Sequence, residues 1–420
     1  MNNSNANSAL VNTLNASDSR RNPAVYSSKE IYPAAAVNLV PLDLSTGTLA
    51  NNNTITYNLP KYGILQSLNF QYAKAQVGAG VFSPYDFATV IERVELLSSS
   101  RVIQTLTKFD IIAQVSNMSS EEFNVANDAF IAGRLSGGAG RINFVSVPLV
   151  FGFMKDINTC LNLQFNEPMS VRIKLSPDVT KPNAATTFTI SGVPKLFMRY
   201  LAYNESDYAE ILSQNYDEPE FNQMVTNFYD EPTVNRTMPA AGALAATYTD
   251  KVELKNTECV NNIYVIVRKQ TSPTGTEDFG QPIAIDKLTF KASGQTLFET
   301  EGAMVKYRIL NNNGFYSTGN NVSSTDNVAK IQLGYYEHAG GGPQSNTLSL
   351  RELNNPTIEV TYPSAGLANS DVVDIIVMEE TLGIVSTTSS TGRVQTALSV
   401  SYTHPPSPRD YAASRMPSSA

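Results

Sequence analysis

Tryptophan is absent from all 420 residues, and only two cysteines and two histidines occur. Cys160 and Cys259 fall in different halves without metal-type spacing, so no disulfide framework is implied. His338 sits in a glycine loop and His404 in a proline-rich tail. Neither has neighbours that resemble a metal cluster or a catalytic triad, which speaks against hydrolases of the usual kinds. Basic residues number 30 against 38 acidic ones, a net charge of −8, and they form no basic stripe. Neutralising phosphates needs clustered Lys and Arg, so sequence-specific nucleic-acid binding is not expected. No run reaches the roughly 18 apolar residues of a membrane-spanning helix. The opening residues lack the apolar core of a secretion signal.

Motifs of chemistry are equally scarce. The glycine stretches SGGAG (136–140) and AGGGP (339–343) lack the Lys and the strand-to-helix setting of a phosphate loop, and read as flexible turns. No Gly-x-Ser-x-Gly elbow occurs. The acidic tetrapeptide YDEP recurs thirteen residues on, placing Asp217, Glu218, Asp230 and Glu231 as hard oxygen donors, but the glycine-containing spacing of a calcium loop is missing. Adjacent carboxylates such as Glu121 with Glu122 and Glu379 with Glu380 leave glycosidase chemistry open, because its two acids normally come from distant strands. The lack of tryptophan platforms weighs against sugar binding. The sequence therefore designates no catalytic, cofactor-binding or metal-binding residue, and no enzyme activity or cofactor is expected.

What the chain does contain is a repeat. Residues 91–111 align without a gap on 285–305, with Ile91 facing Ile285, Glu92 facing Asp286, Arg93 facing Lys287 and Val94 facing Leu288. Ser99 and Ser293 are identical and lie in small-residue turns between two strands. The order of neighbours repeats as well: strands at 64–74 and 260–270 upstream, then glycine loops, turns marked by Pro168 and Pro356, and closing apolar strands at 195–203 and 372–380. At this length a single core has usually stopped growing, and each half is large enough to bury about 70% of its unfolded surface. The period-2 alternation between Asn, Gly and Pro clusters predicts antiparallel strands. Two β domains of one topology follow.

Helices are predicted at matching places, 108–133 in the first half and 299–310 in the second. A cap at Ser119 or Ser120, with Glu121 and Glu122 in the first turn, predicts a helix over 119–131 that Gly133 would stop. The first 30 residues, rich in Asn, Ser and Ala, and a proline-rich tail read as extended arms. Arg20 and Arg21 are solvated charges or contacts for an acidic partner. Residues 206–246 read as a connector stiffened by prolines.

The stretches KYGILQSLNFQYAK, SPYDFATVIERVELLSSSRVIQTLTKFDIIAQVSN and GRINFVSVPLVFGFMKDINTCLNLQFNEPMSVRIKLSP, together with the duplication, resemble the double jelly-roll major capsid proteins of tailless icosahedral viruses, the lineage of membrane-containing phages and the adenovirus hexon. The resemblance covers roughly 36–385. It implies an all-β fold of two tandem eight-stranded antiparallel jelly rolls with a few short flanking helices: an arm at 1–30, rolls at 31–205 and 247–385, a connector at 206–246 and a second arm at 386–420. It further implies a homotrimer that acts as a pseudo-hexameric tile of an icosahedral shell. Trimer–trimer contacts, a vertex protein, and an internal membrane or genome reached by the N-terminal arm would be its partners. Its place would be the virion, after assembly in the host cytoplasm. Two other readings stay open, a trimeric receptor-binding spike or fibre and a carbohydrate-active or lectin-like β-sandwich.

Overall fold

The structure, a computed structural model, describes residues 35–77, 88, 90–116, 142–154, 161–163, 166–177, 179, 187–203, 220–230, 234–255, 259–270, 281–301, 328–333, 348–388 and 393–398. The first half contributes β1 (Ala35–Leu42), β2 (Thr54–Asn58), β3 (Ile64–Val77), β4 (Ile91–Ser98), β5 (Arg101–Thr107), helix α1 (Lys108–Ser116), β6 (Ile142–Pro148), β7 (Met169–Leu175) and β8 (Thr187–Tyr203). They form two four-stranded antiparallel sheets, ordered β1-β8-β3-β6 and β2-β7-β4-β5. Strand β7 shows why: its burial alternates at every residue, with Met169, Val171, Ile173 and Leu175 inward and Ser170, Arg172 and Lys174 outward. Alternation of this kind buries one face of a sheet only, so two sheets must close on each other. Leu68, Phe70, Tyr72, Leu196 and Met198 of one sheet meet Ile55, Tyr57, Val94 and Leu96 of the other in one apolar cluster. Each such side chain stabilises the fold by about 1.5–3 kcal/mol on burial. Tyr57 carries a polar tip into this core and donates its hydroxyl to the Pro194 carbonyl at 2.9 Å, joining β2 to β8 across the sandwich.

The second half supplies β9 (Glu220–Asp230), β10 (Val234–Thr237), β11 (Thr247–Glu253), β12 (Cys259–Gln270), β13 (Gln281–Pro282), β14 (Lys287–Ala292), β15 (Gln295–Glu301), β16 (Val328–Gln332), β17 (Leu348–Ser349), β18 (Thr357–Pro363), β19 (Val372–Thr388) and β20 (Arg393–Leu398). One sheet runs β11-β18-β14-β15; the other is ordered β10-β19-β12, with β13, β16 and β17 also on β12 and with β9 and β20 on β19. Matching the sheets strand by strand, with the bulge before Ser67 set on that before Asn262, equates β1 with β9, which β10 continues along β19, and β8 with β19, β3 with β12, β6 with β16, β2 with β11, β7 with β18, β4 with β14 and β5 with β15. The chain is two jelly rolls in tandem, each with a four-plus-four strand order.

The duplicated hairpins agree in detail. β4 and β5 are joined by Ser99 and Ser100, β14 and β15 by Ser293 and Gly294, and Ser99 (φ 54°) and Ser293 (φ 52°) both occupy the left-handed region. Two-residue hairpin loops need a positive φ at the first turn position, and a serine tolerates it at modest cost. The turn amides are held alike: Ser99 N donates to the Pro168 carbonyl at 2.8 Å and Ser293 N to that of Asn354 at 2.7 Å. Both hairpins also carry a bulge: Ile103 of β5 is left unpaired opposite Leu96 and Leu97, and Leu297 of β15 opposite Phe290 and Lys291.

Three expectations change in the structure. Residues 206–246, read as a connector, supply β9 and β10, both paired to β19. Part of the expected C-terminal arm forms β20, also on β19. The helix predicted at 299–310 does not start where expected, because 299–301 complete β15 and keep pairing with β14. Helix α1 forms at the start of the predicted 108–133 stretch, with Asp110 in its first turn accepting a bond from Thr107 N at 2.7 Å. The helix predicted at 119–131, both glycine loops, the remainder of 299–310, both histidines, Cys160 and residues 1–30 lie outside the described residues.

Candidate functional site

No group of three or more His, Cys, Asp or Glu side chains is placed to hold a metal among the described residues. Nor is the Glu379–Glu380 pair a two-acid centre. The two are neighbours on β19 and point to opposite faces of its sheet, Glu379 opposite Ile263 and Glu380 opposite Asn262, both buried. The geometry with functional meaning is that of broad faces, above all the outer face of the β1-β8-β3-β6 sheet and its counterpart in the second roll.

In the second roll that outer face is covered. Inward residues Ile263, Val265, Val267, Val373, Ile375 and Val377 build the second roll's own core, while Tyr264, Ile266, Val328, Ile376 and Met378 join the apolar cluster of the first roll. The seam includes Phe228 of β9 against Tyr264, ring centroids 6.1 Å apart, and β9 also runs beside β5 and the 3-10 turn at Gly152–Met154. Polar groups are matched inside it. Asn262 donates to Glu380 Oε2 at 2.5 Å and Tyr264 to the same oxygen at 3.3 Å. Arg268 donates to Asp374 Oδ2 at 3.1 Å, Gln270 adds a bond to Asp374 at 2.7 Å, and the guanidinium lies 5.0 Å from the ring centroid of Phe109 on α1. Asp374 is 1% exposed, so this cation and its amide neighbour replace the water the carboxylate has lost.

The first roll's outer face has no such cover among the described residues. The register places Ser67, Asn69 and Gln71 of β3 beside Arg199, Phe197 and Lys195 of β8, where the second roll has Asn262, Tyr264 and Ile266 beside Glu380, Met378 and Ile376. Around that more polar centre lie Val37 and Leu39 on β1, Val193 on β8 and Phe144 on β6, between 55% and 68% exposed. Single exposed apolar residues are ordinary; four on one sheet whose counterpart is buried mark an interaction face.

The other two sheets present charged outer faces. Arg172 and Arg93 flank Glu95, with Arg172 at 2.5 Å, and Lys174 meets Glu92 at 3.0 Å. In the second roll Lys287 meets Glu299 at 2.9 Å and Lys291 meets Glu359 at 2.5 Å. On the inward side of that sheet, where Tyr362 belongs to the core, Arg236 of β10 grips Asp250 through two nitrogens, and Tyr362 donates to the same carboxylate at 2.7 Å. The bond to Asp250 holds the Arg236 pKa above its ordinary value, and burial, followed by its own hydrogen bond to Asp250, raises that of Tyr362. At the first hairpin, burial favours the protonated form of Glu167, but bonds from Arg101, Ser98 and Ser99 outweigh it and lower its pKa.

Reading the residues in order missed the covered seam, although a signal was present. Ile263 to Val267 and Ile375 to Met378 are unbroken apolar runs, the mark of a strand buried on both faces, whereas 64–74 alternates.

No family model and no curated protein matches the sequence. Solved structures do. The chain is similar to a chain of the PBCV-1 virus capsid, with 12% identity, a TM-score of 0.63, and coverage of 88% of this chain and 98% of that one. It is also similar to the Faustovirus major capsid protein, at 10% identity and a TM-score of 0.55 over 84% of this chain and 91% of that one. The mavirus major capsid protein gives 12% identity and a TM-score of 0.54 over 94% of this chain and 96% of that one. At these identities the likeness establishes the shared double jelly-roll fold.

Proposed function

We propose that this double jelly-roll chain is a viral major capsid protein, a structural subunit that associates as a homotrimer and tiles an icosahedral shell. The observation that carries the reading is two successive rolls of one strand order, over nearly the whole length of capsid proteins that share the fold. Duplication serves tiling: three copies of a two-roll chain supply six similar wedges, and head-to-tail contacts that close give a ring. Weaker contacts between rings then extend a lattice. The first roll would span about 31–205 and the second would run from β9 through β20, about 220–398; the virion is the expected location after assembly in the host cytoplasm, and a vertex protein is an expected partner. The Asn-rich residues 1–30 would act between neighbours or toward an internal membrane or genome, ordering on assembly.

Light scattering on the purified chain tests the reading. A mass three times the 45.7 kDa of one chain, with hexagonal tiles in negative stain, is the expected result. A stable monomer, or sugar-cleaving activity, would overturn it. A trimer that binds cells and never tiles would instead favour a receptor-binding spike. Removing residues 1–25 should leave trimers intact and reduce particle yield; loss of the trimer would place that segment in the core assembly.

A further inference from the structure

We infer that Lys330, Asn262 and Glu380 build a covalent cross-link inside the second roll, an amide between Lys330 Nζ and Asn262 Cγ formed with loss of ammonia. The three residues lie on three adjacent strands, β16, β12 and β19. Asn262 stands opposite Glu380, and Lys330 stands opposite Tyr264, one step along the same face. Lys330 is therefore the diagonal neighbour of Asn262, a backbone separation of about 7–8 Å that a long side chain spans. Its Nζ lies 5.9 Å from the ring centroid of Tyr264, whose hydroxyl donates to Glu380 Oε2. Asn262 Nδ2 donates to that same oxygen at 2.5 Å, while Asn262 Oδ1 has no hydrogen-bond partner among the described residues. All three residues are buried, on the face whose Tyr264, Ile266, Val328, Ile376 and Met378 belong to the apolar seam.

Each group has a part in the step. An apolar surround favours a neutral amine over an ammonium and a carboxylic acid over a carboxylate, and the neutral amine is the nucleophile. Lys330 Nζ adds to Asn262 Cγ and gives up one proton; Nδ2 takes up one proton and leaves as ammonia. Glu380, in contact with Nδ2, carries the proton between them and ends as it began. One C–N bond forms and one breaks, with nothing oxidised or reduced. The jelly-roll sheet itself does not demand these residues, because the first roll has Pro148, Ser67 and Arg199 at the three equivalent positions. β16 is only five residues long and is distant in sequence from β12. A covalent tie holds it in the seam and removes loop-closure entropy from the unfolded chain. The inference goes beyond the capsid reading and does not depend on it.

Mass spectrometry of the purified, then denatured, full chain tests this. The chain should be lighter than its sequence by one ammonia, and a protease digest should contain one branched peptide joining the segments that carry Asn262 and Lys330. Lys330→Met removes the amine and Glu380→Gln removes the proton carrier, so each should appear at the full mass of its own sequence, with circular dichroism checking that it folds. A wild-type chain at full mass, or an ammonia loss that maps to other residues, would overturn the inference and leave a buried hydrogen-bonded cluster only; that result needs no variant to fold. The branched peptide persisting in folded Glu380→Gln would overturn it as well. Because the measurement is made on denatured chain, it is blind to oligomeric state, and its failure leaves the capsid reading standing.

Discussion

The two rolls share a strand order and differ in how their outer sheets are used. In the second roll the face of β12 and β19 carries Tyr264, Ile266, Ile376 and Met378 and is buried in the same chain; in the first the equivalent face carries Asn69, Gln71, Lys195 and Phe197 and meets solvent. One topology therefore supports two surfaces. Backbone pairing sets the sheet, while the outward side chains decide whether it meets water, a neighbouring roll or another copy.

The largest effect that would break this comparison comes from the seam. Arg268→Ala strands Asp374 at 1% exposure without its cation, and should cost about 3–5 kcal/mol in denaturant unfolding. Lys195→Ala, at an outward position of the first roll, should change unfolding by about 0.5 kcal/mol or less. Met378→Ala empties a fully buried site in the same seam and should cost about 2–5 kcal/mol. Its first-roll equivalent, Phe197→Ala, should cost well under half of that in the same assay. Equal losses at Met378 and Phe197 would mean that the two outer faces are alike.

Glycines sharpen the comparison on a smaller scale. Gly63 (φ 76°) precedes β3, and a Cβ there would meet Leu201 O at 2.8 Å and Tyr200 Cδ2 at 2.5 Å. Gly294 has the same φ in the second hairpin with open space around it. Gly294→Ala should cost about 1–2 kcal/mol, the penalty of a left-handed L-residue. Gly63→Ala should exceed that in thermal melts, since backbone as well as dihedral strain opposes it.

The smallest effect is acid dependence, which both rolls should share. Burial favours the neutral form of Asp371, but the bond from Lys269 at 2.7 Å and that from the Ala368 amide outweigh it, so its pKa lies below the ordinary 3.8. A depressed carboxylate stabilises the fold fully above its unfolded value, and the contribution is lost as pH falls through the folded value. Glu167 of the first roll follows the same sign from its usual 4.5. Asp371→Asn and Glu167→Gln should each flatten the acid limb of a stability–pH curve by about 1 kcal/mol or less. A steeper limb in either variant would contradict the assigned bonds.

Much of the fold was legible in the residues. Alternation in β7 and the repeated turn at Ser99 and Ser293 are local properties, set by the two-residue period of a pleated strand and by backbone sterics, and they carried the tandem β architecture. β9 and β10 were read as a connector because YDEP and its neighbours supply charge and proline, while their pairing partner, β19, lies far along the chain. The extension of β15 to Glu301 was hidden for a like reason: Glu299–Glu301 read equally as a helix start until β14 is set beside them.

The sequence by itself determined that the chain is β-rich and duplicated and that His and Cys are scarce in it, because those properties reside in composition, period and spacing. Tertiary structure alone decided which outer sheet is covered, by what, and where Arg268, Asp374 and Phe109 meet. An outward side chain has one sequence pattern whether water or protein lies beyond it, and only the packing of distant segments supplies the second surface.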